Sequence, residues 1–187
     1  MEEKKVNRKI LLINACARKE SRTLPLARKV AEGLEGQVRE LNLFSEDIVP
    51  LDASGLEKRD RLINAGAFDN EMFRFAREFA EAEEIVIAAP YWDLSFPAIL
   101  KCYLEQICVN GITFKYGSDG MPQGLCRASN LTYVTTSGGY IGENNFGFDY
   151  VAGLCKGLFG LQEIYFVKAE GLDIYGADVE GILEAAR

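Results

Sequence analysis

The stretch Ile85-Val86-Ile87-Ala88-Ala89-Pro90-Tyr91-Trp92-Asp93-Leu94-Ser95-Phe96-Pro97 decides how this 187-residue chain is read. Ile85–Ala89 is an unbroken apolar run of strand length, the pattern of a strand covered on both faces. Beyond Pro97, residues Ile99, Leu100, Tyr103, Leu104, Ile107 and Cys108 recur at intervals of three and four, which predicts an amphipathic helix over Ala98–Val109. Ser95 is placed to cap it. Between strand and helix stand two prolines, the only tryptophan, a tyrosine and a carboxylate. A hydrophobic core needs none of these at the end of a strand. A flat aromatic ligand gripped there would.

The same alternation extends in both directions. Upstream, Ile10–Asn14 is a first apolar run. A polar loop over Ala15–Thr23 leads into a helical repeat of Leu26, Ala27, Val30, Ala31 and Leu34, with Pro25 in its first turn. Val38–Leu43 reads as the second strand. Phe44 to about Asn70 is irregular, with a short helix expected at Leu56–Ala65, and reads as a surface excursion. Met72, Phe75, Ala76, Phe79 and Ala80 mark a further helix. Downstream, Gly111–Gly124 reads as a hairpin or loop with Ile112–Tyr116 strand-like. Leu131–Thr136 is the fourth strand. The glycine-rich loop Thr136–Gly142 and a helix over Asp149–Gly160 follow. Ile164–Lys168 is the fifth strand, and a last helix is expected over Ala177–Arg187.

Strands and helices in strict alternation predict an α/β fold, a parallel sheet with helices on both faces. Five strands suggest the flavodoxin-like order 2-1-3-4-5, a three-layer sandwich in one domain over residues 1–187. In such sheets ligands lie beyond the carboxyl ends of the strands, where the order switches. In this order strands 1, 3 and 4 are neighbours, so their three unusual loops would meet at one site.

Composition narrows the chemistry. The net charge of −7 argues against nucleic acid or an anionic lipid surface as the main partner. No run is long enough to insert in a membrane, and Met1–Lys5 lacks the apolar core of an export signal, so a cytoplasmic protein is expected. Five cysteines without a Cys-x-x-Cys pair make zinc or disulfide frameworks improbable, and Cys102, Cys108 and Cys155 read as small core residues. The chain has no histidine at all. That removes Ser-His-Asp and Cys-His catalysis and histidine metal sites. What remains is chemistry by carboxylates, hydroxyls, backbone amides or a bound cofactor.

The loops supply candidates. Ser21, Arg22 and Thr23 bring two hydroxyls and a cation to a helix N-terminus, a ready phosphate site. Each hydroxyl could equally be a plain N-cap. No Gly-x-Gly-x-x-Gly or Walker pattern is present, which disfavours dinucleotides and ATP as resident ligands. Gly138 and Gly139 would let the backbone come close to a ligand.

The pieces Glu20-Ser21-Arg22-Thr23, Ala89–Pro97, Gly111–Tyr116, Thr135-Thr136-Ser137-Gly138-Gly139 and Ala169-Glu170-Gly171-Leu172 resemble the flavodoxin-like NAD(P)H oxidoreductases. Within them the chain is most similar to FMN-dependent NADH:quinone reductases and azoreductases. The resemblance implies FMN as cofactor, NADH or NADPH as donor, a quinone or azo acceptor, and a homodimer. Carried over by position, Ser21, Arg22 and Thr23 would hold the phosphate. Pro90, Tyr91, Trp92, Asp93 and Leu94 would wrap the isoalloxazine. Thr136, Ser137, Gly138, Gly139 and Tyr140 would line its pyrimidine side. No side chain need act as a nucleophile, because the flavin carries the chemistry. Two other readings share the fold: a non-catalytic electron carrier of flavodoxin type, and a flavin-binding regulatory module.

Overall fold

A computed structural model describes residues 8–186. Five parallel strands form the sheet: β1 Lys9–Asn14, β2 Gln37–Asn42, β3 Glu84–Ala88, β6 Asn130–Thr136 and β7 Glu163–Ala169. Their order is β2-β1-β3-β6-β7, which is the expected 2-1-3-4-5 counted over the sheet strands. Two further strands, β4 Phe114–Tyr116 and β5 Pro122–Gly124, form a separate antiparallel hairpin. Only the second half of the expected Ile112–Tyr116 strand pairs.

The strands alternate their side chains between two cores, as a period of two requires. Ile10, Leu12, Val86, Ala88 and Val134 face one side. There they meet Leu26, Ala27 and Ala31 of α1 (Thr23–Glu32), with Val179, Ile182 and Leu183 of α6 (Val179–Ala185) packed alongside. Leu11, Ile13, Ile85, Ile87, Leu131 and Tyr133 face the other side. That core takes Phe75, Ala76 and Phe79 from α3 (Arg74–Glu81) and Leu100, Tyr103, Leu104 and Ile107 from α4 (Ala98–Ile107). It also takes Val151 from α5 (Phe146–Leu154). Each valine, leucine, isoleucine or phenylalanine among them contributes about 1.5–3 kcal/mol by leaving water. A sheet apolar on both faces is stable only between two helical layers, and this fixes the sandwich.

Several boundaries differ from the sequence reading, each for a local reason. Ser95 does not cap α4. Pro97 occupies that position without a side-chain cap, and Ser95 closes a turn with Trp92 instead. The helix expected over Asp149–Gly160 begins earlier, because Asn145 accepts a hydrogen bond from the Phe148 N–H at 3.3 Å. From Cys155 to Phe159 it widens into a π-helix, and Gly160 ends it at φ 78°. The hairpin crosses there so closely that a Cβ on Gly124 would lie 2.1 Å from the Phe159 carbonyl oxygen.

The excursion carries α2 (Ala53–Asn64), three residues earlier than expected because Asp52 caps it through the Gly55 N–H at 2.7 Å. None of its residues is buried, as a surface element requires. Glu71–Phe73 is a 3-10 turn, so α3 starts at Arg74 and not at Met72. The last helix starts at Val179, where Asp178 caps it. Arg187 and the Met1–Lys5 segment lie outside the described residues. Cys155 is buried, while Cys102 and Cys108 are half-buried against the same core. Among the described residues no helix is long and apolar enough to cross a membrane.

Candidate functional site

β1, β3 and β6 end side by side, so the loops that leave them share one cleft. Asn14 sets the first loop. Its buried amide accepts from the Cys16 N–H at 2.9 Å and donates to Glu40 at 2.9 Å. Burial alone would raise the Glu40 carboxyl, but hydrogen bonds from Arg28 and Asn14 outweigh it and hold it below the usual carboxylate range. Cys16 lies beside Ser21, and burial pushes its thiol up. The thiol therefore stays neutral and adds no anion beneath the loop.

At the start of α1, Arg22 stands in the capping position without a side-chain cap. The Ser21 hydroxyl accepts from the Leu24 N–H over a long 3.4 Å. Pro25 has no N–H to satisfy. The Leu24 N–H is thus only weakly engaged at the N-terminus of α1, where the positive end of the helix dipole favours an anion. The Thr23 hydroxyl is already committed. Thr23 is fully buried, and its hydroxyl pairs with that of Thr136 at 2.7 Å. This bond ties the first loop to the end of β6.

The loop after β3 is tied to the same point. The Tyr91 N–H donates to the Thr136 carbonyl at 3.1 Å. Trp92 and Ser95 exchange backbone hydrogen bonds at 3.1 and 2.7 Å around Asp93 and Leu94, whose φ values are 50° and 66°. Two consecutive left-handed residues make the pattern of a type I′ turn, which normally asks for asparagine and glycine. The turn is braced from the loop after β6: the Phe146 N–H donates to the Leu94 carbonyl at 3.2 Å, and the Tyr91 hydroxyl to the Asn144 carbonyl at 2.7 Å.

The loop after β6 runs against the segment that follows β7. Leu172 N–H donates to Ser137 at 3.1 Å, Asp173 N–H to Gly138 at 2.9 Å, and Gly171 N–H to Gly139 at 3.0 Å. The Glu170 carboxylate takes the Ile141 N–H at 3.0 Å and pairs with Lys168 at 2.7 Å. Burial would raise this carboxyl, yet those two partners hold it below its ordinary value.

The cleft so formed has a volume of about 400 Å3. Small-molecule sites run from roughly 300 to 1,000 Å3. Ser21, Arg22, Thr23, Pro90, Tyr91, Trp92, Thr136, Ser137 and Gly138 line it, with Arg18, Glu20 and Asp173. Asp93 and Leu94 do not line it, because the turn carries them outward at its tip. Gly139 and Tyr140 do not line it either; Tyr140 is 76 % exposed. Gly138 was expected to admit a ligand. In the structure its missing Cβ makes room for Asp173, whose Oδ2 lies 2.2 Å from where that Cβ would be. Asp173 is the lining residue that no local pattern marked. Its only trace in the sequence is its position just after Ala169–Leu172.

Comparison with known proteins agrees with this architecture. A family model described as a flavodoxin-like fold matches residues 8–187. FMN-dependent NADH:quinone oxidoreductase 2 of Clostridium acetobutylicum is 37% identical over 186 residues, covering 94% of this chain and 92% of its own. An FMN-dependent NADH:quinone oxidoreductase of Clostridium beijerinckii is 35% identical over 187 residues, covering 95% and 93%. An azoreductase from Bacillus anthracis superposes with a TM-score of 0.79 at 24% identity, covering 95% of this chain and 94% of that one. A second Bacillus anthracis structure, an FMN-dependent NADH-azoreductase in complex with FMN, gives 0.76 at 21% identity, covering 95% and 93%. With the strand order, the switch-point cleft and the match over nearly every residue in agreement, the chain belongs to the flavodoxin-like fold family.

Proposed function

We propose that this chain is an FMN-dependent NAD(P)H oxidoreductase that reduces quinone or azo acceptors. The observation that carries the reading is one cleft at the switch point, with a helix N-terminus at one end and Pro90–Trp92 at the other. The relatives named FMN-dependent NADH:quinone oxidoreductases support it and favour NADH as donor. The residues present fit FMN. The N-terminus of α1 and the Ser21 hydroxyl suit a phosphate. Trp92 and Pro90 offer a flat apolar wall, and backbone of the Ser137–Gly138 loop can face a ring edge.

The chemistry FMN supplies when bound is acceptance of hydride from a reduced nicotinamide and its delivery to the acceptor in a separate half-reaction. The protein's own part is positional and electrostatic. Ser21, Arg22 and the α1 N-terminus hold the phosphate. Pro90, Tyr91 and Trp92 set the ring plane, and Asp93 and Leu94 form the turn that carries them. Thr23 and Thr136 lock the phosphate and ring walls together. Backbone N–H groups near Gly138 and Gly139 would steady negative charge on the ring edge.

On the loops after β3 and β6 that frame the cleft, Trp92, Leu94, Tyr140 and Phe146 leave large apolar surface in water. Such a rim calls for a cover. In our reading a second copy of this chain provides it, as a homodimer with the site at the interface. The deciding experiment is NADH oxidation by FMN-loaded protein with a quinone as acceptor. Parallel lines in double-reciprocal plots are expected. A loaded protein that exchanges electrons with protein carriers but does not oxidise NADH would show the electron-carrier reading to be right.

A further inference from the structure

We propose that Asp173 limits how strongly the cleft takes a phosphate, by holding Arg22 in an ion pair that the phosphate must replace. The inference rests on the FMN phosphate site proposed above and concerns one residue facing it. Arg22 stands where α1 begins, yet its guanidinium is turned toward the segment after β7. One nitrogen donates to the Leu172 carbonyl at 3.2 Å, and the other pairs with Asp173 Oδ1 at 2.8 Å. The second carboxylate oxygen lies over Gly138. An anion thus already sits between the first and third loops, at the place another anion has to enter.

Four charged side chains line the cleft: Arg18 and Arg22 against Glu20 and Asp173. They balance, so the side chains of the cleft offer a phosphate no surplus of positive charge beyond that of the α1 N-terminus. The Arg22–Asp173 pair is open to water, with the two side chains 37 % and 68 % exposed. Exposed pairs of this kind are weak. A phosphate with several charged acceptor oxygens binds an arginine more strongly and takes it over. The displaced carboxylate stays nearby as a like charge, and affinity falls accordingly. The segment itself is held by backbone bonds from Leu172 and Asp173 to Ser137 and Gly138. Neutralising the side chain therefore leaves the fold intact.

The test is equilibrium titration of wild type, Asp173→Asn and Asp173→Ala with FMN and with riboflavin, which lacks the phosphate. Both variants should bind FMN about tenfold more tightly and riboflavin within about twofold of wild type, with the FMN gain shrinking as salt is raised. If wild type prefers FMN over riboflavin but both variants bind FMN no better, Asp173 does not limit phosphate binding and the inference fails. If wild type binds FMN no tighter than riboflavin, the phosphate site itself is wrong, and the role of Asp173 falls with it.

Discussion

The two ends of the cleft are built on opposite terms. At the α1 end the polar groups are already partnered: Thr23 with Thr136, Arg22 with Leu172 and Asp173, Asn14 with Glu40 and Cys16. At the other end the chain holds two left-handed non-glycine residues and leaves Leu94 and Phe146 47 % and 57 % exposed. The first end is pre-organised, and apart from the Arg22–Asp173 pair that a phosphate must displace it asks a ligand only to join an existing network. The second keeps a left-handed turn of non-glycine residues and bare apolar surface. Side chains at the first end should therefore matter to phosphate and stability, and those at the second to ring contact and rim cover.

The largest effect expected is at Ser21. Replacing it with alanine should weaken FMN by roughly 1.5–3 kcal/mol, or about 10- to 150-fold, since a hydrogen bond to a charged group is lost. Riboflavin affinity should hardly move. Equal losses for both ligands in parallel titrations would remove Ser21 from the phosphate end.

Thr23 separates stability from binding within the same end. Thr23→Val leaves the buried Thr136 hydroxyl unpaired and should cost about 1–3 kcal/mol in urea unfolding. Replacing both threonines with valine should recover part of that loss, because no polar group is then stranded. A double variant no more stable than the single one would mean that the two hydroxyls are not coupled.

The turn tests the opposite end. Asp93→Asn with Leu94→Gly supplies the residues a type I′ turn prefers and should raise unfolding stability by about 1 kcal/mol. No gain in stability would show that the turn stores no strain, and the contrast between the two ends would be blunted.

The smallest effect is expected at exposed groups that could pass protons. With no histidine in the chain, water is the simplest proton source for a reduced acceptor. Asp93→Asn and Tyr140→Phe, made separately, should leave quinone turnover at saturating FMN within about tenfold, roughly 1.4 kcal/mol in barrier. A fall of several hundredfold confined to the acceptor half-reaction would identify that residue as a proton donor.

The amino-acid sequence by itself determined the strands, their alternation with helices and the two-sided sheet. Apolar runs such as Ile85–Ala89 and stripes such as Leu100, Tyr103, Leu104 and Ile107 are local signals, and burial leaves them one arrangement. It also marked three loops, because hydroxyls, glycines and aromatics at strand ends have no use in a core. Tertiary structure alone decided what those loops do to one another. That Thr23 bonds to Thr136 across 113 positions, or Arg22 to Asp173 across 151, depends on which strands are neighbours and how their ends align. The space at Gly138 is likewise taken by a carboxylate from the far end of the chain. Periodicity reports which face a residue presents, while the partner it meets there is set by the packing of the whole sheet.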